Sequence, residues 1–332
     1  MKRQGNLMPE IAAIDNLMLA FCKARRGKLQ RQEVIDYSFN VVENLLNLRE
    51  KLLNETLQVG NYHYFEIYDP KKRKICAASF EERIVHHAII NVCKDRFERN
   101  LIFETYATRE GKGVYAAINR ARVAVQKYPY VAKLDVRKYF DSINHDVLKT
   151  KLLRIFKDEK LLCLLNSIID SYQTTPSTGI PIGNLTSQFF ANFYLSSLDH
   201  LVKEKLKVPI YVRYMDDILL SADSREELKK NVLDIKNYLK RELFLELKSA
   251  QICNVNSGVS FLGYTLFPNF ILLNRRSKLR LIKKWRYYSS LLISGTLSDE
   301  IYLQHIQPLL AFANKANTVK LRKELCKYAV NS

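Results

Sequence analysis

The run Pro209-Ile210-Tyr211-Val212-Arg213-Tyr214, then Met215-Asp216, then Asp217-Ile218-Leu219-Leu220, constrains the chain more than any other segment. Two stretches of β-branched, aromatic and aliphatic residues flank a two-residue tip, the pattern of a tight β-hairpin with carboxylates at its bend. The surrounding sequence supplies partners for it. Val131-Ala132-Lys133-Leu134-Asp135-Val136 alternates as a strand, with Ala132, Leu134 and Val136 facing one way and Lys133 and Asp135 the other. Helical periodicity covers residues 145–171, 187–206 and 225–241, and further strands are expected at 245–254 and 259–267. The resulting β-α-β-β-α-β order is the ferredoxin-like pattern, an α+β fold in which the first strand lies beside the middle hairpin. Asp135, Asp216 and Asp217 can then converge.

Upstream, residues 7–57 read as an N-terminal helical pair broken at Arg25-Arg26-Gly27, with Ile11, Ile14, Leu17 and Met18, then Val34, Tyr37, Val41, Leu45, Leu48 and Leu52, at helix spacing. Tyr62–Tyr68 and Ile75–Ala78 read as strands joined by the basic turn Asp69-Pro70-Lys71-Lys72-Arg73-Lys74. Four consecutive cations at a hairpin tip repel one another, which calls for an anionic ligand nearby. Residues 80–100 and 113–127 are again helical, linked by the basic loop Arg109-Glu110-Gly111-Lys112-Gly113. Beyond Pro268 the chain turns helical and basic. Arg275, Arg276, Lys278, Arg280, Lys283, Lys284 and Arg286 occur with no acid among them, interleaved with Trp285, Tyr287 and Tyr288, which serve either as a nucleic-acid platform or as core.

Charge explains why a polyanion belongs in this picture. The 332 residues carry 53 Lys+Arg against 34 Asp+Glu, a formal charge of +19, and 47% are apolar. That composition excludes a disordered tail, a collagen-like repeat and a disulfide-stapled miniprotein, and the length predicts two or three lobes. Nucleic acid is the leading candidate partner, because phosphate neutralisation by Lys and Arg supplies most non-specific affinity. The six cysteines (Cys22, Cys76, Cys93, Cys163, Cys253 and Cys326) form no C-x-x-C pair and no cluster with histidine, so neither zinc nor a disulfide framework is expected. His86-His87 has no third ligand in sight and reads as surface or core histidine. The start shows no unbroken apolar run, so no signal peptide is predicted and the cytoplasm is the expected location. Ser171–Leu198 lacks Asp, Glu, Lys and Arg altogether, yet Thr174, Thr175, Pro176, Gly179, Pro181 and Gly183 within it are incompatible with a bilayer core. No membrane partner is expected.

Carboxylates gathered in a positively charged protein are what bound Mg²⁺ needs, since this small hard ion takes oxygen ligands and leaves room for substrate phosphates. Two such ions can align an attacking hydroxyl and stabilise a leaving pyrophosphate. Tyr214-Met215-Asp216-Asp217 resembles the Y-x-D-D motif of reverse transcriptases, and Lys133-Leu134-Asp135-Val136-Arg137-Lys138-Tyr139-Phe140-Asp141-Ser142-Ile143 resembles their first palm motif. Phe261-Leu262-Gly263-Tyr264 is similar to the primer grip, and Leu245-Glu246-Leu247-Lys248-Ser249 to the motif whose lysine protonates pyrophosphate. Arg73–Val85 is similar to the fingers motif of bacterial members, and Tyr106–Gly113 to the segment after it. The resemblance covers roughly residues 60–270 and implies a right-hand polymerase. Its parts would be an N-terminal helical extension (1–58), fingers (59–130 with part of 147–183), a ferredoxin-like palm (131–268) and a short basic helical thumb (269–332).

Ile180-Pro181-Ile182-Gly183-Asn184-Leu185-Thr186-Ser187-Gln188 departs from the Gln-Gly and Ser-Pro that most reverse transcriptases carry. In this it is similar to the reverse transcriptases of diversity-generating retroelements, which copy template adenines with errors. A glutamine at position 182 could bond near the incoming nucleotide, whereas Ile182 offers packing alone, and pockets lacking a polar contact discriminate weakly. The neutral stretch 171–198 then reads as a surface against the nascent base pair.

Site roles follow from the resemblance by matching positions. Asp135, Asp216 and Asp217, with the Val136 carbonyl, would hold two Mg²⁺ ions, with Mn²⁺ as the alternative, and no organic cofactor is implied. Lys71 and Arg73 would hold the triphosphate, with Lys72 and Lys74 as rivals, and the backbone of Lys138, Tyr139 and Phe140 would assist. Phe140 is either the gate against a ribose 2′-hydroxyl or a core aromatic. Ile182 and Gly183 would line the nucleotide, Ile182 and Gln188 would bear on fidelity, and Lys248 is either the general acid or a solvated lysine. Phe261, Leu262, Gly263 and Tyr264 would grip the primer, and Arg275, Arg276, Lys278, Lys283 and Lys284 the nucleic-acid backbone. Template RNA, a cDNA or DNA primer, deoxynucleoside triphosphates and a small basic oligomeric accessory variability protein are the implied partners. The competing readings are a retron, group II intron-like or phage-defence enzyme, and an inactive RNA-binding scaffold.

Overall fold

The computed structural model describes residues 3–68 and 72–330. The N-terminal region forms α1 (Met8–Ile11), α2 (Ile14–Arg25), α3 (Gln32–Phe39) and α4 (Val41–Leu53), four helices where periodicity predicts two. The difference lies at Ala13 and Asn40, whose backbone leaves helical geometry without any proline or glycine to announce it. Next come β1 (Tyr62–Tyr68), β2 (Lys72–Ala78), α5 (Phe80–Glu98), α6 (Val114–Lys127) and β3 (Tyr130–Val136). A short helix α7 (Tyr139–Ser142) follows, and the expected helix at 145–171 is split in two, α8 (His145–Leu153) and α9 (Glu159–Asp170). Asp158 caps α9 by accepting the Leu161 N–H, which is why the chain must break there. Then follow α10 (Leu185–Tyr194), α11 (Ser196–His200), a π-turn at Leu201–Lys205, β4 (Tyr211–Tyr214), β5 (Asp217–Ala222) and α12 (Arg225–Glu242). The chain closes with β6 (Leu247–Asn254), β7 (Val259–Phe261), β8 (Tyr264–Leu266), β9 (Ile271–Leu273), α13 (Arg275–Ile293), α14 (Asp299–Asn314) and α15 (Val319–Val330).

These elements divide into two compact units. The first comprises Met1–Phe103, Val136–Leu201 and Ile235–Leu247. Its axis is α5, buried on most sides and packed against α2 and α10. Ser79 starts α5 by accepting the Glu82 N–H. The Phe97 ring meets Phe156 and Phe193 edge-on, with centroids 5.7 and 5.4 Å away. Here the neutral stretch receives a different explanation from the one expected. Thr186, Ser187, Phe189, Phe190, Ala191, Asn192, Phe193 and Tyr194 of α10 are all buried within the protein, so an ionised side chain there would lose its hydration to the core. Burial in the fold, rather than an opposing base pair, accounts for the missing charge from 185 onward.

The second unit comprises Glu104–Asp135, Val202–Asp234 and Lys248–Ser332. Its main sheet has the order β4-β5-β3-β6, so the first strand of the ferredoxin-like pattern lies beside the middle hairpin as the sequence predicts. Residues 259–267 do not extend that sheet. They form the hairpin β7–β8 of a separate three-stranded sheet with β9, because Leu262 (φ +44°) and Gly263 (φ +91°) turn the chain back on itself. Ala117, Ile118, Ala121 and Ala124 of α6 join Val212, Leu219, Tyr264, Leu281 and Trp285 in one apolar core. Trp285 is 2% exposed and therefore core, whereas Tyr287 is 58% exposed, so the aromatic cluster of α13 serves both ends of the sequence alternative.

Two histidines on α5 have separate surroundings. His86 is buried, 3.4 Å from Glu82. Burial, followed by the cations Lys23 and Lys28, holds the neighbouring His87 imidazole down to about 4 from the usual 6.5. Between those values the unfolded chain binds more protons than the folded one, so this contribution to stability is full above 6.5 and is lost as pH falls towards 4. Thermal melting at a series of pH values should show that acid-side loss, with a shallower slope in His87→Gln. An unchanged slope in the variant would contradict the assignment.

Candidate functional site

The hairpin β4–β5 begins with Tyr214 opposite Asp217, and Met215 in its two-residue tip has φ +53°, in the left-handed region. On its other side β5 pairs antiparallel with β3, and the register sets Asp217 directly opposite Asp135. Directly opposed residues of an antiparallel pair project from the same face with Cα atoms about 5 Å apart, so the two carboxylates are neighbours. Each faces a lysine from the same sheet. Lys248 Nζ on β6 donates to Asp135 Oδ2 at 3.3 Å, and Lys133 Nζ lies 3.8 Å from Asp217 Oδ1. The side chains of Asp135 and Asp217 are 29% and 37% exposed, accessible yet framed by the buried Leu134 and Ile218. Asp216 sits half-buried in the tip, and burial pushes the Tyr214 hydroxyl pKa up.

The donor set fits a divalent cation in kind, with paired hard oxygens, partial exposure and no competing sulfur or imidazole. Among the described residues, however, no group of three His, Cys, Asp or Glu side chains stands close enough to hold a metal ion. Lysine ammonium groups balance Asp135 and Asp217.

Within the first unit, the nucleotide-site residues of the sequence reading fall into three groups. Lys138 has φ +42° and precedes α7, where Tyr139 is buried with its hydroxyl donating to the Ala191 carbonyl, leaving only its backbone to a ligand. Phe140 is half-buried, edge-on to Tyr139 with centroids 5.8 Å apart. The Ile182 carbonyl accepts the Cys76 N–H at 2.8 Å and Asn184 Oδ1 accepts the Ala78 N–H at 3.2 Å, so the 182–184 loop is laced to β2. Gln188 is exposed on α10.

Lys71 lies outside the described residues. Lys72, Arg73 and Lys74 belong to β2 rather than to the tip, because β1 and β2 pair from Tyr62↔Ala78 out to Tyr68↔Lys72. Strand alternation separates the rivals. Lys72 is taken by Glu66 at 2.9 Å, which also holds the Glu66 carboxyl below its usual range, and Lys74 lies over the Tyr64 ring at 4.2 Å. Arg73 faces the other way, opposite Ile67.

In the second unit the four primer-grip residues of the sequence reading divide by burial. Phe261 and Tyr264 are fully buried, and the Tyr264 hydroxyl donates to the Phe312 carbonyl at 2.9 Å, so only the Leu262–Gly263 turn is left accessible. On α13, Arg275, Arg276, Lys278 and Lys283 are exposed and Lys284 is half-buried.

A family model described as reverse transcriptase (RNA-dependent DNA polymerase) matches residues 68–266, more than half of the chain. The chain belongs to the reverse transcriptase family. It is 29% identical over 195 residues to the retron Ec73 reverse transcriptase of Escherichia coli, covering 53% of this chain and 59% of that protein. It is 21% identical over 302 residues to the protein YkfC of Escherichia coli K12, covering 75% of each. It also matches the COX1/OXI3 intron 2 protein of Saccharomyces cerevisiae at 23% identity over 257 residues, 58% of this chain and only 30% of that protein. The chain therefore spans less than two thirds of several curated relatives. Among solved structures, apo telomerase from Candida tropicalis aligns with a TM-score of 0.50 at 12% identity, covering 76% of this chain and 57% of the other. That likeness concerns the fold alone, the α+β architecture of right-hand polymerases.

Sequence reasoning missed three residues of this chain that touch the site elements. Lys133 shares a strand face with Asp135, so the alternation already placed it beside the acids. Asn184 gave no signal, since its role is a tertiary bond. Arg213 is fully buried beneath the tip although it carries a charge. At Gly183 (φ +128°) a Cβ would stand 2.9 Å from Ile75 Cγ2 and 3.1 Å from the Cys76 carbonyl. Gly183→Ala should therefore lower folding stability by about 1–3 kcal/mol, from backbone strain and the closed gap together. Chemical denaturation measures this, and wild-type stability in the variant would contradict the account.

Proposed function

We propose that this chain is an RNA-directed DNA polymerase that extends a 3′-hydroxyl by attack on the α-phosphate of a deoxynucleoside triphosphate, copying template RNA into cDNA. The observation that carries the reading is the register that opposes Asp135 and Asp217 in a family-matched palm sheet. Asp135, Asp216 and Asp217, with the Val136 carbonyl, would hold the divalent ions, Mg²⁺ or Mn²⁺. Such ions supply charge neutralisation at the transferring phosphoryl group and lower the pKa of the attacking hydroxyl.

The remaining work falls to the chain's own groups. Lys248, now bonded to Asp135, would give its proton to departing pyrophosphate, and Lys133 would balance the charge of Asp217. Arg73 of the fingers would bind the triphosphate together with the backbone at 138–140. Phe140 would exclude a 2′-hydroxyl, the Leu262–Gly263 turn would bear on the primer, and the exposed cations of α13 in the thumb would hold nucleic-acid phosphates. The extension at 1–58, the fingers at 59–130, the palm at 131–268 and the thumb at 269–332 remain our division of labour for these roles.

Within the family we propose error-prone copying at template adenines, as in diversity-generating retroelements, with an accessory variability protein as partner. Ile182 and Gln188 support it, because an aliphatic side chain at 182 supplies no hydrogen bond by which to reject a misplaced base. A retron or group II intron-like enzyme is the second reading, favoured by the 29% identity to the retron Ec73 protein.

Primer extension on an RNA template decides the activity. Asp216→Asn should abolish Mg²⁺-dependent incorporation while RNA binding persists, and retained synthesis would overturn the reading. Sequencing the products decides the subgroup. Errors should concentrate opposite adenine and diminish in Ile182→Gln, whereas evenly distributed errors that the variant leaves unchanged would exclude it.

A further inference from the structure

Arg213 heads the fully buried side chains by volume, at 0% exposure, on the edge strand of the main sheet. A guanidinium remains charged wherever it is placed, so burying one is costly unless its donors meet acceptors. A leucine or methionine would fill the same space without that cost. What the arginine does that an apolar residue cannot is donate, and Nη1 donates to the Met215 carbonyl at 3.2 Å. Met215 is the tip residue held at φ +53°, a backbone state that persists only when its surroundings impose it.

The arginine itself is anchored from outside the sheet. Its N–H donates to the Glu104 carbonyl at 3.0 Å and its carbonyl accepts the Tyr106 N–H at 2.9 Å, so the segment around Thr105 covers the edge of β4. That segment is braced in turn. Arg109 Nη1 donates to the Thr105 carbonyl at 3.2 Å and to Thr105 Oγ1 at 2.6 Å, and the Glu104 carboxylate lies 3.6 Å from Lys203 and 3.7 Å from Arg120. The 104–109 loop therefore fixes the backbone of residue 213, and the side chain of that residue reaches on to the backbone of the turn that carries Asp216 and Asp217.

We propose that Arg213 is a positioning residue that acts through the Met215 carbonyl to hold the Tyr214–Asp217 turn in the geometry presenting Asp216 and Asp217. The inference rests on the reading of those two aspartates as the groups that hold metal. It assigns no contact with substrate to Arg213. Lysine keeps the charge but lacks the planar fork of donors, and methionine keeps much of the volume but neither charge nor donor. The two substitutions therefore separate filling from holding.

The test compares wild type, Arg213→Lys, Arg213→Met and Asp217→Asn by hydrogen exchange of the peptide spanning 211–219, by melting temperature and by single-nucleotide incorporation. In Arg213→Lys the 211–219 amides should exchange faster while other peptides and the melting temperature stay near wild type. Its kcat should fall about tenfold or more with KM for the nucleotide unchanged, because small misplacements of reacting groups are costly in rate. Arg213→Met should fall further, with lysine as the partial rescue. Wild-type exchange and kcat in both variants would overturn the proposal, and so would losses that follow a general drop in melting temperature and protection across the unit. Asp217→Asn should lose incorporation with 211–219 exchange near wild type. A wild-type chain that incorporates nothing overturns the polymerase reading alone, since the exchange comparison still decides whether Arg213 holds the turn.

Discussion

The antiparallel register between β3 and β5 is the constraint on which the site depends, since it alone sets Asp135 against Asp217. A slip of one residue would turn one strand over against the other, sending one of the two acids to the apolar face and bringing its fully buried neighbour, Leu134 or Ile218, out to solvent. The hydrophobic effect on one face thus enforces an electrostatic arrangement on the other. Two carboxylates so close repel, and Lys133 and Lys248 offset that repulsion from the same sheet. The fold stores an acidic pair in a protein of net charge +19 by giving each acid its own cation.

Charge is managed in three ways along this chain. On β2, Lys72 and Lys74 are paired with Glu66 and Tyr64 on one strand face, and Arg73 occupies the other. On α13 Arg275, Arg276, Lys278, Lys283 and Arg286 are exposed while Leu281 and Trp285 enter the core, so one helix combines packing with an exposed basic face. Around α10 charge is withheld, because almost every side chain of that helix lies inside the protein. The single buried arginine of β4 stands against all three patterns, which is why its bond to the Met215 carbonyl carries functional weight.

Much of the main sheet was legible in the sequence because its signals are local. The alternation through Val131–Val136 and the two-residue tip at Met215-Asp216 each fixed a strand without reference to distant residues. What failed was tertiary. Lys72–Lys74 read as turn because Asp69-Pro70 precedes them, yet pairing with Glu66–Tyr68 makes them strand. The rings of Phe261 and Tyr264 complete a core built by α6 and α13, which the motif alone does not reveal. Asn184 and Arg213 were silent because a hydrogen bond to Ala78 or Met215 leaves no periodic trace. Family membership follows from the match over residues 68–266, and the subgroup rests on Ile182 and Gln188 alone.

The central claim is that Asp135 and Asp217 act as one metal-holding pair. Counting Mn²⁺ bound by electron paramagnetic resonance, with template, primer and a non-reacting nucleotide analogue present, tests it without relying on turnover. The account predicts that Asp135→Asn and Asp217→Asn each weaken that binding strongly, with RNA binding unchanged. Equal Mn²⁺ occupancy in wild type and both variants would contradict it.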